Sequence, residues 1–259
     1  MKDTPEKEAY ILVYNNDFNE AYDNHLTAMD AFVYVSMKLM AGNPHFFGRL
    51  YATADSICSF SFGVGLNDVS QSFIRELRLS MKRISENGYI PYELTSSKEP
   101  FRHVYNIGIV WEKDSKAKDN WENERYTLVP VSACKKIFTA FGLSEIMKVR
   151  VLYFYIKLSS LIVYKTGLCT YSLDTIAEKT NLSIMTVQDY IRVLETYKVL
   201  AVYHMGKNIN QYANYPSNVL GQYYNKERVL ASGQAIYEDF CSKYRLDKDG
   251  TKKSKKASA

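Results

Sequence analysis

Between Tyr171 and His204 the apolar residues Ile184, Val187, Ile191 and Leu194 follow one another in steps of three, four and three. That spacing puts them on one side of an α-helix and leaves Ser183, Met185, Thr186, Gln188, Asp189 and Arg192 nearer solvent. The segment before it, "SLDTIAEKT", predicts a shorter helix started by Ser172 and Asp174, with Asn181 or Ser183 capping the second helix. Downstream, "KVLAVYH" alternates and is β-branched, "MGKN" reads as a turn, and "INQYANYP" reads as a return strand. Helix, turn, helix, hairpin is the element order of a winged helix.

A fainter copy of this pattern lies upstream. Ile74, Leu77, Met81 and Ile84 repeat the same steps, each 110 positions before its counterpart, and "TADSIC" parallels "SLDTIA". The first copy is longer by about nine residues, assigned to "SFSFGVGLND" and a longer helix. A hairpin is expected after it, from "GYIPYEL" through the tip "TSSKEP" to "FRHVYNIGIVW". Each copy also has an apolar opening helix, "LTAMDAFVYVSMKLMAG" for the first and "LSEIMKVRVLYFYIKLSSLIVYKTG" for the second. One amphipathic stripe is common to many packed helices, so the repeated order carries the reading.

The expected fold is therefore α+β, mainly helical, with two tandem winged helix-turn-helix domains. An acidic segment over 1–25 precedes a first winged helix over 26–112. The charged run over 113–125 is the expected linker, followed by a second winged helix over 126–218 and a C-terminal helix and basic tail over 219–259. Neither chain end reads as a packed element.

Charge sharpens this picture. The net charge is +5, yet residues 1–30 carry two Lys against seven acids, and residues 245–259 carry one Arg and five Lys against two Asp. The body between them is mildly basic, which suits phosphate contact. The four cysteines, Cys58, Cys134, Cys169 and Cys241, lie far apart, and the four histidines are scattered. That spacing offers neither a zinc site nor a clustered metal site for phosphodiester chemistry. No phosphate loop is present: "MGKN" lacks the first Gly and the Ser or Thr of that motif. The expectation is a cytoplasmic, non-enzymatic protein with no cofactor and no membrane span.

The binding residues expected in the first copy are Ser70, Gln71, Ser72, Arg75, Arg78 and Lys82 on the helix, with Lys98 and Arg102 at the wing. In the second they are Ser183, Met185, Thr186, Gln188 and Arg192, with Lys207, Asn208 and Gln211 at the wing. Arg can bridge guanine O6 and N7, Gln can pair with adenine N6 and N7, and wing cations can meet phosphate or the minor groove. Asp189 is a repulsive neighbour for phosphate.

The second copy, "LDTIAEKTNLSIMTVQDYIRVLETYKVL", resembles the winged helix-turn-helix segments of replication proteins from low-GC Gram-positive bacteria, their plasmids and phages. It resembles in particular the N-terminal domain of DnaD-type replisome organisers, and the tandem arrangement resembles plasmid initiators that grip origin repeats. The resemblance implies origin binding on double-stranded DNA and recruitment of host replication proteins, with no activity of its own. A transcriptional regulator of a mobile element and a winged-helix protein scaffold are the alternatives. The apolar run "VRVLYFYIKLSSLIVY" exceeds what one core helix requires, so a homodimer or interdomain contact is a further expectation.

Overall fold

The acidic opening segment contains a paired strand. In the computed structural model, which describes residues 9–18, 25–41, 49–87, 93–95, 104–108, 126–206 and 216–246, Tyr10–Tyr14 forms strand β1. It pairs antiparallel with Tyr126–Pro130 (β5) in the register Leu12 to Leu128. Ile11, Val13 and Tyr14 are buried, and the Thr127 hydroxyl donates to Asn15 Oδ1 at 2.6 Å. The expectation of an unpacked opening segment is thus corrected. Its alternating "YILVY" reads as a strand on its own, but its partner stands beyond the charged run and leaves no local signal.

The protein is α+β and mainly helical, and it divides into two compact units, Met1–Ser160 and Leu161–Ala259. The division falls after Ser160 and not in the charged run, which lies outside the described residues.

In the first unit, helix α1 (Ala28–Ala41) is the centre. Strand β2 (Arg49–Ala52) and helices α2 (Ala54–Phe62) and α3 (Gln71–Glu86) follow, then strands β3 (Glu93–Thr95) and β4 (Val104–Gly108). The sheet order is β2-β4-β3, antiparallel throughout. After β5 come α4 (Val131–Phe138) and α5 (Glu145–Ser159). Four phenylalanines knit the helices together. Phe32 of α1 stacks on Phe62 of α2 at 5.0 Å and meets Phe73 of α3 and Phe138 of α4 edge-on. Such aromatic pairs add about 0.5–1.5 kcal/mol beyond the area they bury.

Helix α5 is the opening helix expected for the second copy, yet it packs in the first unit against α1, α4 and β5. Val149, Val151, Leu152, Phe154, Tyr155, Ile156 and Leu158 are all buried, so apolar residues occupy nearly every side of it. A helix apolar all round needs neighbours on several faces. Within its own unit, α1, α4 and β5 supply them, and this accounts for much of the surplus that the sequence shows.

The second unit begins with a turn and a short strand β6 (Leu168–Cys169), then α6 (Leu173–Thr180), α7 (Ile184–Thr196), β7 (Leu200–Tyr203), β8 (Val219–Gln222) and α8 (Lys226–Lys243). Its sheet order is β6-β8-β7. The strand that pairs with β7 is β8, whereas "INQYANYP", expected as the return strand, lies outside the described residues except for Pro216; a domain edge at residue 218 would sever the central strand from its sheet. Helix α8 packs on β7 and β8, with Val229, Phe240 and Cys241 buried against Ala201, Met205 and Val219. The helix ends with Arg245 in the left-handed region, and Leu246 N–H returns to Cys241 O at 2.8 Å. This 6→1 closure is a Schellman end, and it buries Leu246, so the first residues of the expected tail are packed.

The two units share the order β-α-α-β-β with the last strand central. Thr53 and Ser172 cap α2 and α6 through their side chains, and Ile57 and Ile176 are both buried. Gly63 and Asn181 end those helices in the left-handed conformation. Along α3 and α7 the 110-residue register holds for the buried pairs Leu77 and Val187, Met81 and Ile191, and Ile84 and Leu194. It fails at the start: Ile74 is buried, whereas Ile184 is 42% exposed. The reason is that α7 begins at Ile184, while α3 has an extra first turn before Ile74. The remaining extra length of the first copy lies in the connection, which includes a 3-10 turn at Leu66–Asp68.

Ser80 of α3 is fully buried and its hydroxyl has no hydrogen-bond partner among the described residues. A buried hydroxyl without a partner costs about 1–3 kcal/mol. Ser80→Ala should therefore stabilise the first unit by about 1 kcal/mol, read as a higher midpoint in urea unfolding. A lower midpoint would mean that the hydroxyl is bonded in solution.

Candidate nucleic-acid interface

Helix α3 is seated by an ion-pair cluster that sequence reasoning missed. Asp30 of α1 is only 4% exposed at its side chain and accepts from Arg83 Nη2 at 2.9 Å and Nε at 3.1 Å. Glu76 accepts from the same Nη2 at 2.8 Å. Thr27 holds the other side of Asp30, its N–H donating to Oδ2 at 3.0 Å and its hydroxyl at 2.7 Å. Burial alone lowers the Arg83 pKa, but hydrogen bonds to Glu76 and Asp30 outweigh it and the net shift is upward. Arg83 thus fixes α3 to α1. No signal links Asp30 to a partner 53 positions away.

Beyond that cluster α3 turns a continuous face to solvent. Gln71, Ser72 and Arg75 are exposed, as is Lys82, which lies 3.5 Å from Glu86. Ser70 is the helix cap, its hydroxyl accepting from Phe73 N–H at 3.3 Å and facing the Ser72 hydroxyl at 3.1 Å. Arg78 is half-buried and already engaged within the protein. Leu79 is 44% exposed between Arg75 and Lys82, a position absent from the expected site. Its lone apolar side chain on a polar line was the available signal.

The α7 face differs. Ser183 caps the helix by accepting from Thr186 N–H at 3.1 Å, and the two hydroxyls meet at 2.8 Å. Thr186 is half-buried as a result. Gln188 is exposed, and Met185 is 73% exposed. Arg192 Nη1 lies 3.3 Å from Asp189 Oδ1, so Asp189 is the partner of the one cation on this face. The α7 face is close to neutral where the α3 face is basic. An exposed pair of this kind contributes little to stability, but it does oppose phosphate contact by Arg192. Lys98, Arg102, Lys207, Asn208 and Gln211, the expected wing contacts, lie outside the described residues.

The four cysteines are buried and form no disulfide. Burial, then the carboxylates of Asp55 and Glu145, push the Cys58 thiol up to about 12, far from nucleophilic use at neutral pH. Among the described residues there is no group of three His, Cys, Asp or Glu side chains able to hold a metal ion. Among the same residues no helix is long and apolar enough to cross a membrane.

Comparison with protein-family models, with curated proteins and with solved structures found no match.

Proposed function

We propose that this chain is a sequence-specific double-stranded DNA-binding protein with two tandem winged helices, serving replication initiation of a plasmid, phage or other mobile element. The observation that supports it best is the recurrence of one topology. Both units run β-α-α-β-β with sheet orders β2-β4-β3 and β6-β8-β7, and in each the second helix turns one face to solvent. In winged-helix proteins that helix enters the major groove. On α3 the exposed Arg75, Gln71 and Lys82 are the residue types that read guanine, adenine and phosphate. The likeness of the second copy to Gram-positive replication proteins turns the reading toward an origin.

Selection of duplexes from a random pool, followed by footprinting on the DNA flanking the gene, tests this. A repeat array supports an initiator, and a single operator at a promoter points to a regulator. Enrichment of no sequence overturns DNA reading and leaves a protein scaffold.

The lysine-rich end supplies another expected result. Lys252, Lys253, Lys255 and Lys256 are separated only by Ser254 and bring cations without a reading element. Deleting residues 247–259 should weaken binding to all duplexes alike and flatten the salt dependence, because fewer counterions are released. Affinity measured from low to moderate salt checks it. Loss of discrimination between selected and random duplex would instead assign reading to the tail.

A further inference from the structure

The two reading helices differ in chemistry, and the difference names a base preference. On α7 two adjacent apolar side chains stand in water, Ile184 and Met185, followed one turn later by the exposed amide of Gln188. Ile184 is in solvent because α7 lacks the extra first turn that precedes its buried α3 counterpart, Ile74. A single exposed methionine is ordinary. Here the pair lies on the helix that takes the place of α3 in the repeated topology. The charges on this face offset one another, since Arg192 pairs with Asp189, and the Ser183 and Thr186 hydroxyls are committed to the cap.

Apart from the Asp189–Arg192 pair, the described residues of this face offer a partner two apolar groups and one amide. In the major groove an A·T pair alone offers that complement: the thymine C5-methyl group for an apolar side chain, and adenine N6 and N7 for a bidentate amide. Guanine calls for a cation: on α7 Arg192 has Asp189 beside it, whereas Arg75 on α3 is exposed.

We propose that the second unit reads an A·T half-site, with Met185 and Ile184 packing on thymine methyl groups and Gln188 pairing with adenine. This rests on the DNA-binding reading above and extends it: the two half-sites differ, and the protein binds its site in one orientation.

The test uses the full chain and a duplex recovered by random-pool selection. The half-site belonging to α3 is identified as the one whose sequence preference relaxes in Arg75→Ala. In the other half-site each thymine is replaced by deoxyuridine, which removes only the C5-methyl group. Affinity should fall about fourfold per contacted methyl, the value of one buried methyl-sized group. The fall should shrink in Met185→Ala, vanish in the Ile184→Ala, Met185→Ala double variant, and persist in Arg75→Ala. Both side chains are exposed, so these variants should keep their fold, and unchanged circular dichroism verifies that. Three results overturn the proposal: no thymine in the second half-site, no change on deoxyuridine substitution, or a change that persists in the double variant. If no duplex is enriched at all, the DNA-binding reading itself falls, a separate outcome from the loss of methyl readout alone.

Discussion

Gly233→Ala should destabilise the second unit by about 3 kcal/mol, although alanine favours helices over glycine by about 1 kcal/mol. Gly233 lies inside α8, where its missing side chain lets the helix close on β7. A Cβ there would stand 2.6 Å from Tyr203 Cδ1 and closer still to Tyr203 Cγ and Cβ. Those are the rigid near end of an aromatic ring, so relief requires α8 to lift from the sheet. Gly221 in β8 is confined likewise, by Val229 Cγ2 at 2.6 Å and by the backbone oxygen of Gly167 at 2.7 Å. Alanine at either site should lower the urea midpoint and release hydrogen-exchange protection in residues 161–246 ahead of the first unit. Gly206 provides the contrast, because its nearest neighbour is Tyr237 Oη at 3.6 Å, an ordinary contact. A Gly233→Ala midpoint equal to that of Gly206→Ala would mean that α8 does not pack this tightly in solution.

Arg75→Ala should reduce affinity for a selected duplex by about fivefold to over a hundredfold, the range of one good bidentate base contact. Gln188→Ala and Arg192→Ala should each cost less. Arg75 is exposed on the α3 face, whereas Arg192 has Asp189 beside it. The Arg75 loss should also be sequence-dependent, relaxing preference at one or two positions while leaving binding to random duplex nearly unaltered. Arg78 is a poorer probe than its sequence position suggests, since it is half-buried and engaged. Affinity that falls only in the α7 variants would transfer the principal reading to the second unit.

Where the sequence was legible, the reason was local. The caps at Ser172 and Ser183 and the stripe through Val187, Ile191 and Leu194 depend on neighbours within a few residues, so spacing alone locates α6 and α7. The parallel between Thr53 and Ser172 is legible for the same reason. What could not be read depends on distant partners. The two-residue strand β6 is too short to show an alternation, and it exists because β8 lies beside it. The assignment of α5 to the first unit turns on which apolar faces find it, and its composition is silent on that. Ile184 is exposed where the stripe places it inside, because periodicity tells which side a residue takes but not where the helix starts. Among the expected site residues, the spacing identified the exposed Arg75, Gln71 and Gln188. The same spacing also carries the Asp189–Arg192 pair, three positions apart on α7, and Leu79 in line with Arg75 and Lys82 on α3.

The pairing of β1 with β5 has a kinetic consequence. Asn15 and Thr127 meet across 112 positions, so the first unit cannot complete its structure until both ends of that span have come together. The sheet of the second unit closes within residues 168–222. Contacts of long sequence separation slow folding because the entropy of closing the loop is lost before the contacts reward it. During synthesis the helices α1 to α3 emerge well before β5 and α5, the elements that cover β1 and α1. The sides of α1 and β1 that α5 and β5 cover therefore wait open while the chain lengthens, and that interval is when the first unit is most open to aggregation or to a chaperone.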